Sequence, residues 1–240
     1  MNDLKLLESL LNCGTVEELH VRTSAITKQL GFEHFLYGVR VNVSLTRPYH
    51  FIFSGYPKEW WEHYSASDYM NVDPAVRHCA TRVIPVVWDK NLFSGRQAAR
   101  IRGEAKEFGL VTGASYPVHG KQGEVAMLSL TTSRKSREAD RDVLAAMGKA
   151  QLFCCYLHEA VQRIVLSAGP LPLRKVNLTE REKECLLWAS EGKTGGEVAD
   201  ILNISERTVI FHLQNASRKL GVSTRQHAVS RALSMGLITP

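Results

Sequence analysis

The sequence lacks the features that mark several large classes of protein. Its five cysteines are odd in number and none stands in a CxxC pair, which argues against a disulfide framework and against a zinc site. No run of about 18 apolar residues is present, and no basic segment followed by an apolar one opens the sequence. A nucleophile elbow, metal-spaced histidines and a phosphate-binding loop are also missing. We therefore expect a cytoplasmic protein with reduced thiols, no metal or cofactor, no membrane partner and no catalytic residues.

Acidic residues are scarce where the chain is most basic. The 240 residues carry a formal net charge of +6, and the excess is concentrated near the carboxyl terminus. From Asn203 to Arg231 the sequence has five lysines and arginines against one acidic residue. A clustered basic excess permits nucleic-acid binding without establishing it. The length leaves room for one large domain, or for a large and a small one.

Aromatic residues are concentrated in residues 55–74, GYPKEWWEHYSASDYMNVDP. Tyr56, Trp60 and Tyr64 are spaced four apart and share one face of a helix, and Asp73 follows them. Rings with an N–H or O–H, together with a carboxylate, suit a small apolar molecule that carries an amide and a carbonyl. Aromatic residues at helical spacing are more often ordinary core, and an aspartate before a proline is also a helix cap. Both interpretations stay open on these residues alone.

The first 166 residues alternate between helical and strand periods. Residues 4–11 and the capping box of Thr15 with Glu18 predict two short amphipathic helices, and the alternation from Phe35 to Val43 predicts a strand. Further strands are predicted at 49–53, 83–88, 114–118 and 125–131, and a helix at 94–108. This gives about five strands with helices on the faces of the sheet, an α/β/α sandwich. Within the last strand Ser129 needs a hydrogen-bond partner if it is buried, either a backbone carbonyl or a ligand carbonyl.

A long helix is predicted from Arg137 to Val165. Its apolar residues recur alternately four and three apart, at Val143, Met147, Ala150, Cys154, Leu157, Val161 and Ile164. Such a seam packs one element on another, and both the protein's own sheet and a second subunit are consistent with it. Two prolines and a glycine then break the helix, so we place an interdomain linker at residues 167–175.

The residues after this linker predict a helix-turn-helix. Capping boxes open two helices at Thr179 and Thr194, and Ser205 caps a third helix from Glu206 to Leu220. A short helix, a tight turn and a longer helix form the arrangement in which the longer helix enters DNA. One side of that helix is apolar, at Val209, Leu213, Ala216 and Leu220. The rest of its surface suits base edges and phosphates and carries Arg207, Thr208, Ile210, Phe211, Gln214, Asn215, Arg218 and Lys219.

These segments resemble the LuxR-type quorum-sensing transcription factors along essentially the whole chain. TEREKECLLWASEGKTGGEVADILNISERTVIFHLQNASRKLGV is similar to the LuxR-type helix-turn-helix, and YPKEWWEHY, VDPAV, Trp88 and GLVTGASYPVHG are similar to the acyl-homoserine-lactone-binding domain. Within the family the sequence is most similar to LasR-like receptors. The resemblance implies an α+β protein with an N-terminal α/β/α ligand-binding sandwich at 1–166 and an all-α four-helix helix-turn-helix domain at 176–240.

The resemblance also implies roles for single residues in binding an N-acyl-homoserine lactone. At Trp60 the family has the donor to the lactone carbonyl, and at Asp73 the acceptor of the amide N–H. Tyr56 and Ser129 match the residues that bind the acyl carbonyl. The aromatic residues of the lactone end correspond to Tyr64 and Trp88, and weaker matches to the acyl tunnel are Leu36, Gly38, Val76, Ala126 and Leu128.

Two positions depart from the LasR-like pattern. Trp61 stands where those receptors have an arginine near the acyl 3-position, and Ala75 replaces a threonine that packs at the head group. An indole has one N–H and cannot replace the hydrogen bonds of a guanidinium. We therefore do not expect the guanidinium contact to a 3-oxo group.

Together these features predict a ligand-dependent transcription regulator, and the resemblance favours an activator. We expect it to bind a long-chain N-acyl-homoserine lactone, to form a homodimer, to bind palindromic double-stranded DNA and to work with RNA polymerase. An acyl chain of about eight carbons, at roughly 0.8 kcal/mol per buried CH₂, would complete a core that is loose without it. The alternatives are a solo receptor for another small molecule, a lactone- or amide-processing enzyme, and a phosphorylation-driven response regulator.

Overall fold

The computed structural model describes residues 3–41, 48–120, 123–166 and 176–238. It divides into two compact units, of which the first contains residues 3–40, 50–120 and 125–166 and the second contains residues 176–238. The linker predicted at 167–175 lies outside the described residues, so its bounds stay a prediction. None of the helices in the described ranges is long and apolar enough to cross a membrane.

The first unit is built on a five-stranded sheet. Its strands are β1 (His34–Val41), β2 (Tyr49–Ser54), β3 (Val86–Val87), β4 (Thr112–His119) and β5 (Val125–Thr132). They lie in the order β2-β1-β5-β4-β3, and β5 pairs antiparallel with both β1 and β4. The register places Leu36 and Ser115 opposite Ser129, so side chains from three strands meet on one face of the sheet.

One predicted strand is much shorter than expected. The pattern predicted a strand over 83–88, whereas only Val86 and Val87 pair with β4, and Val83 and Ile84 are exposed. Pro85 accounts for the difference, because it lacks the N–H that a strand donates to its neighbour. The predicted strand over 35–43 is found as β1, and Val43 lies outside the described residues.

Helices cover both faces of this sheet, as predicted. The helices of the first unit are α1 (Asp3–Glu8), α2 (Val16–Gln29), α3 (Lys58–Ala66), α4 (Pro74–Thr81), α5 (Arg96–Glu107) and α6 (Arg137–Val161). Helix α6 packs on β4 and β5 and is joined there by α1 and α2, whereas α4 packs on the opposite face. A π-helical turn at Gln162–Leu166 follows α6. The α/β/α layering is therefore confirmed.

The long helix α6 uses its apolar seam for its own sheet. Val143, Ala150, Cys154, Leu157 and Val161 of that seam are buried within the first unit. Of the two interpretations of the seam, packing on the sheet is the one that the structure supports. A different stripe of α6 faces outward, where Leu144 and Leu152 are 57% and 44% exposed.

The second unit consists of four described helices around a small core. They are α7 (Glu180–Ser190), α8 (Gly195–Leu202), α9 (Glu206–Leu220) and α10 (Arg225–Ser234). The capping boxes predicted at Thr179 and Thr194 are both present, and the Ser205 hydroxyl caps α9. Asn203 ends α8 in the left-handed conformation, which gives the tight turn before α9. The predicted helix-turn-helix is therefore confirmed as a fold.

Candidate functional site

Two adjoining cavities lie between the sheet and helices α3–α5 of the first unit. We call the smaller one, of about 40 Å³, the inner cavity, and the larger one, of about 280 Å³, the outer cavity. Leu36, Tyr64, Asp73, Val76 and Met127 line both, so the two cavities adjoin, and we call them together the chamber. The remaining predicted residues that line it are Tyr56, Trp60, Ala75, Trp88 and Ser129 in the inner cavity and Gly38, Trp61 and Ala126 in the outer one.

Asp73 serves both as a helix cap and as part of the chamber wall. Its Oδ1 accepts a hydrogen bond from the Ala75 N–H at 2.8 Å, and its Oδ2 accepts one from the Tyr64 hydroxyl at 3.0 Å. Burial raises the pKa of the carboxyl, and these two hydrogen bonds oppose that rise. Because a carboxylate can accept about four hydrogen bonds, Asp73 keeps the capacity to accept one more from a bound N–H. The two interpretations left open for this residue are thus compatible.

Hydroxyl groups line the sheet side of the inner cavity. The Ser129 and Ser115 hydroxyls are 2.8 Å apart, and the Trp88 indole N–H donates to Ser115 at 2.8 Å. The partner that Ser129 required is therefore another side chain and not a backbone carbonyl. The Tyr56 hydroxyl is buried and has no hydrogen-bond partner among the described residues. Burial raises its pKa, and the nearby Thr131 and Ser129 hydroxyls oppose that rise, so it is a neutral donor that has hydroxyl neighbours but no well-formed hydrogen bond.

A polar cluster outside the chamber holds its helical wall together. The Glu104 carboxylate accepts hydrogen bonds from Arg100 at 2.7 Å and Tyr69 at 2.6 Å, and it also contacts His63 at 2.7 Å. The hydrogen bonds, that of Arg100 foremost, lower the pKa of Glu104 to about 2. The cluster ties α3 to α5, and Trp60 packs beside it with its ring centroid 5.9 Å from that of His63. No described residue accepts a hydrogen bond from the Trp60 indole N–H, whose ring borders the inner cavity.

Leu128 lies apart from the other residues predicted for the site. We expected it in the acyl tunnel, but it lines neither cavity, and it pairs in register with Tyr37 and Tyr116 on the face of the sheet covered by α6. Successive side chains of a strand point to opposite faces. Since Ser129 points into the chamber, Met127 points there too and Leu128 points away, so strand alternation would have identified Met127.

Other residues at the site were missed because their neighbours in sequence gave no signal. Ser115 lies opposite Ser129 in the neighbouring strand and contacts two wall residues, Ser129 and Trp88, without lining either cavity itself. Arg102 lies on α5, between Ile101 and Ala105, and lines the inner cavity with them. A sequence pattern assigns an arginine to solvent, so only the packing of α5 on the sheet shows that this one borders the chamber.

In the second unit, α9 separates an apolar face from a polar one as predicted. Val209, Leu213, Ala216 and Leu220 are buried. Ile210 and Phe211 are 45% and 59% exposed, and an exposed pair of apolar side chains on such a helix needs a partner. Arg207, Gln214 and Arg218 are also exposed, and the Arg218 guanidinium donates to the Asn215 amide oxygen at 2.8 Å.

Two residues predicted to contact DNA also have structural roles. The Lys219 ammonium lies 2.7 Å from the buried Glu182 carboxylate and joins α9 to the start of α7. The Thr208 backbone N–H and hydroxyl both contact the Ser205 hydroxyl at the helix N-cap, at 3.1 and 2.7 Å. The spacing of these residues on α9 could not show this, because their partners are set by capping geometry and by a distant helix.

Comparison with known proteins identifies relatives along the whole length. Two family models match, "Autoinducer binding domain" over residues 15–161 and "Bacterial regulatory proteins, luxR family" over residues 176–232. The chain is 33% identical to the transcriptional activator VanR of Vibrio anguillarum over 99% of this chain and 98% of that protein. It is 32% identical to LuxR of Aliivibrio fischeri over 98% of this chain and 93% of that protein.

Solved structures give the same relationship. The crystal structure of Escherichia coli SdiA matches with a TM-score of 0.80 at 27% identity, over 99% of this chain and 98% of that chain. SdiA in complex with octanoyl-rac-glycerol matches with a TM-score of 0.79 at 26% identity, over 98% of this chain and 94% of that chain.

Proposed function

Because the chain belongs to the LuxR family of bacterial regulatory proteins, whose members are autoinducer-binding transcription regulators and not enzymes, we propose that it binds an N-acyl-homoserine lactone. In this proposal the lactone-bound protein forms a homodimer and binds a palindromic promoter element. It then activates transcription with RNA polymerase, in the cytoplasm, as part of quorum sensing.

The observation that carries the proposal is a donor and an acceptor facing one apolar chamber. The buried Tyr56 hydroxyl makes no well-formed hydrogen bond with a described residue, and the Asp73 carboxylate has capacity for a further donor. An amide group supplies both, because its carbonyl accepts from Tyr56 and its N–H donates to Asp73. The free indole N–H of Trp60 then suits the lactone carbonyl. A long acyl chain occupies the outer cavity, among Leu36, Gly38, Trp61 and other apolar groups.

The outward stripe of α6 supports the homodimer. Leu144 and Leu152 are eight residues apart, about two helical turns, and lie on one side of the exposed surface of α6. Gly148, between them, is also exposed, and no heavy atom lies within 4 Å of the position of an added Cβ, so a second helix can approach closely there. In a two-fold dimer the same stripe of both subunits forms the contact.

The first experiment is recovery of the ligand. The protein is produced with and without a panel of N-acyl-homoserine lactones, and an organic extract of the purified protein is analysed by mass spectrometry. We expect one lactone at about one molecule per chain. Soluble protein that retains none of the panel would contradict the proposal.

A second experiment tests the role of Asp73. Asp73→Asn keeps a cap for α4 but removes the charged acceptor, so we expect the dissociation constant of the recovered lactone to rise about 10- to 150-fold, the range for a hydrogen bond to a charged group. Asp89→Asn is the matched control, because Asp89 caps the Leu92 N–H at 2.8 Å and does not line the chamber. Equal affinities in calorimetry for the wild type and both variants would remove Asp73 from the binding site.

A receptor for an acyl compound without a homoserine lactone is the second candidate. The observation that favours it is the complex of the similar protein SdiA with octanoyl-rac-glycerol. Recovery of an acyl compound of another class from the protein would select it over the lactone.

A further inference from the structure

Helix α9 presents an apolar side chain to an open groove on the surface of the second unit. Ile210 is 45% exposed and lines this groove together with Gln214, Ser217 and Arg218. The buried residues of α9 form a separate stripe, so the core of the second unit is complete without Ile210. A single exposed isoleucine is ordinary on a protein surface, and its neighbours decide what it can bind.

An unpaired amide stands one helical turn from this isoleucine. Gln214 follows Ile210 by four residues, which puts both side chains on one face of α9, about 6 Å apart along the helix axis. Gln214 is exposed, and its amide group has no hydrogen-bond partner among the described residues. Phe211 is also exposed, but its ring packs against His212, with centroids 5.7 Å apart, and does not line the groove. Ile210 and Gln214 therefore form one contact surface, which is apolar at one end and hydrogen-bonding at the other.

The charges around this surface indicate the kind of partner it fits. Arg207 and Arg218 are exposed one turn before Ile210 and one turn after Gln214. Glu206, the only acidic residue between residues 203 and 231, stands at the first position of α9 and not between the two contact residues. Cations on both sides of a contact surface suit the phosphates that border a groove of DNA. The partner that fits is therefore double-stranded DNA, with Ile210 and Gln214 facing the base edges.

The major groove of DNA offers one apolar group and one base edge that binds an amide at two points. The apolar group is the C5-methyl of thymine, and adenine presents the N6 donor and the N7 acceptor that pair with a glutamine amide. Guanine presents only acceptors in this groove, and cytosine presents only a donor. An isoleucine and a glutamine on adjacent turns of one helix face therefore match A·T base pairs.

We propose that α9 reads A·T base pairs in each half-site of the promoter element, with Ile210 against a thymine methyl and the Gln214 amide bonded to adenine N6 and N7. These two residues determine the sequence that is bound, whereas Arg207 and Arg218 contact phosphates and carry no sequence information. This inference rests on the proposed binding of a palindromic promoter element and names the bases that are read in it.

Selection from a random pool of double-stranded DNA identifies the bases. The full-length protein is used together with its recovered lactone, and we expect A·T pairs at constant positions in both half-sites. Uracil then replaces each selected thymine in turn, which removes only the methyl group. At one position per half-site the affinity should fall about fourfold, and about 15-fold when both half-sites are changed, the fold-changes for one and two lost methyl contacts.

Two isoleucine variants provide a matched comparison. Ile201 on α8 is 44% exposed, much like Ile210, but it does not line the groove. Ile210→Ala should bind the thymine and uracil sites equally, whereas Ile201→Ala should keep the wild-type difference between them. Because each protein is compared on two DNA sites, a general loss of stability in a variant cancels.

Gln214→Ala tests the contact with adenine. Each selected A·T pair is replaced in turn by G·C, and at one position the wild type should lose about 5- to 150-fold in affinity per half-site, the range for a two-point contact with a base. At that position Gln214→Ala should lose less than the wild type. An equal loss in both proteins at every position would overturn the assignment of adenine to Gln214.

The same measurements separate this inference from the proposed function. Selection of a specific site whose affinity is unchanged by uracil overturns the inference and leaves the proposed function intact. The same loss on the uracil site in Ile210→Ala as in the wild type also overturns it. If the lactone-bound protein selects no sequence from the pool, both the inference and the proposed function fail.

Discussion

The two units of this protein differ in how far their cores are completed by the chain itself. The second unit closes around wholly buried apolar residues such as Leu186, Val198 and Val209. The first unit encloses a chamber, and the buried hydroxyls of Tyr56 and Thr131 lie near each other but neither makes a well-formed hydrogen bond with a described residue. Unpaired buried polar groups and unfilled volume both cost stability. A core of this kind is one whose stability a ligand can raise, because binding only to the folded state shifts the folding equilibrium.

The largest expected effect comes from matched cavities in the two cores. Leu130 on β5 and Leu186 on α7 are both fully buried, and Leu130 lines neither cavity. Replacing either by alanine should lower the free energy of unfolding of its unit by about 2–5 kcal/mol. Ligand at 100 times its dissociation constant should restore about 2.7 kcal/mol to Leu130→Ala and nothing to Leu186→Ala.

Hydrogen exchange followed by mass spectrometry measures this in the full-length protein, since peptides report on each unit separately. The wild type with and without ligand is the control, because it shows how much the bound ligand slows exchange without any cavity to compensate. If the ligand restored the same stability to both variants, the two cores would unfold as one. The proposed difference between the two units would then be contradicted.

A smaller effect separates two neighbouring cations on α9. Arg218 is exposed, whereas the Lys219 ammonium pairs with the buried Glu182 carboxylate. Arg218→Met should lower the slope of log affinity for DNA against log salt by about one and leave stability unchanged, because it removes one phosphate contact. Lys219→Met should leave that slope unchanged and lower the stability of the second unit by about 1–3 kcal/mol, because Glu182 loses its charged partner.

Titrations of DNA binding at several salt concentrations and urea unfolding of both variants distinguish the two roles. A change of slope in Lys219→Met with unchanged stability would mean that the ion pair with Glu182 is exchanged for a phosphate on DNA.

The sequence predicts the second unit better than the first, because local signals determine most of the second unit and long-range packing determines the site in the first. Capping boxes at Thr179 and Thr194 and the stripe of α9 are local signals, and each determines structure within a few residues. The chamber depends on long-range packing. The residues predicted for the site line the two cavities with the exception of Leu128, which lines neither, and Arg102 was not expected in the wall at all. Hydrophobic periodicity predicts which face of a helix or strand is buried, but it does not predict which other element packs against that face.

The smallest effect is a difference in the sign of the pH dependence between the units. In the second unit burial raises the pKa of Glu182, but the hydrogen bonds from Lys219 and Thr179 outweigh it, and the net pKa is lowered. A lowered folded-state pKa contributes stability that is present above the unfolded value, near 4.5, and is lost as the pH falls through the folded value. In the first unit the pKa of Asp73 is raised by burial. The contribution of Asp73 to folding stability is therefore present below its unfolded-state pKa of 3.8, and it is lost as the pH rises through its folded-state pKa.

Glu182→Gln and Asp73→Asn isolate the two contributions, since other carboxylates such as Glu104, whose pKa is lowered to about 2, also make stability depend on pH. On acidification from neutral pH towards pH 4, the protection of the α7 amides relative to their intrinsic exchange rates should fall in the wild type more than in Glu182→Gln. Over the same range the first unit of the wild type should gain stability relative to Asp73→Asn. Two differences of the same sign would mean that Asp73 is held as a charged acceptor even without ligand, and the contrast between the two carboxylates would be lost.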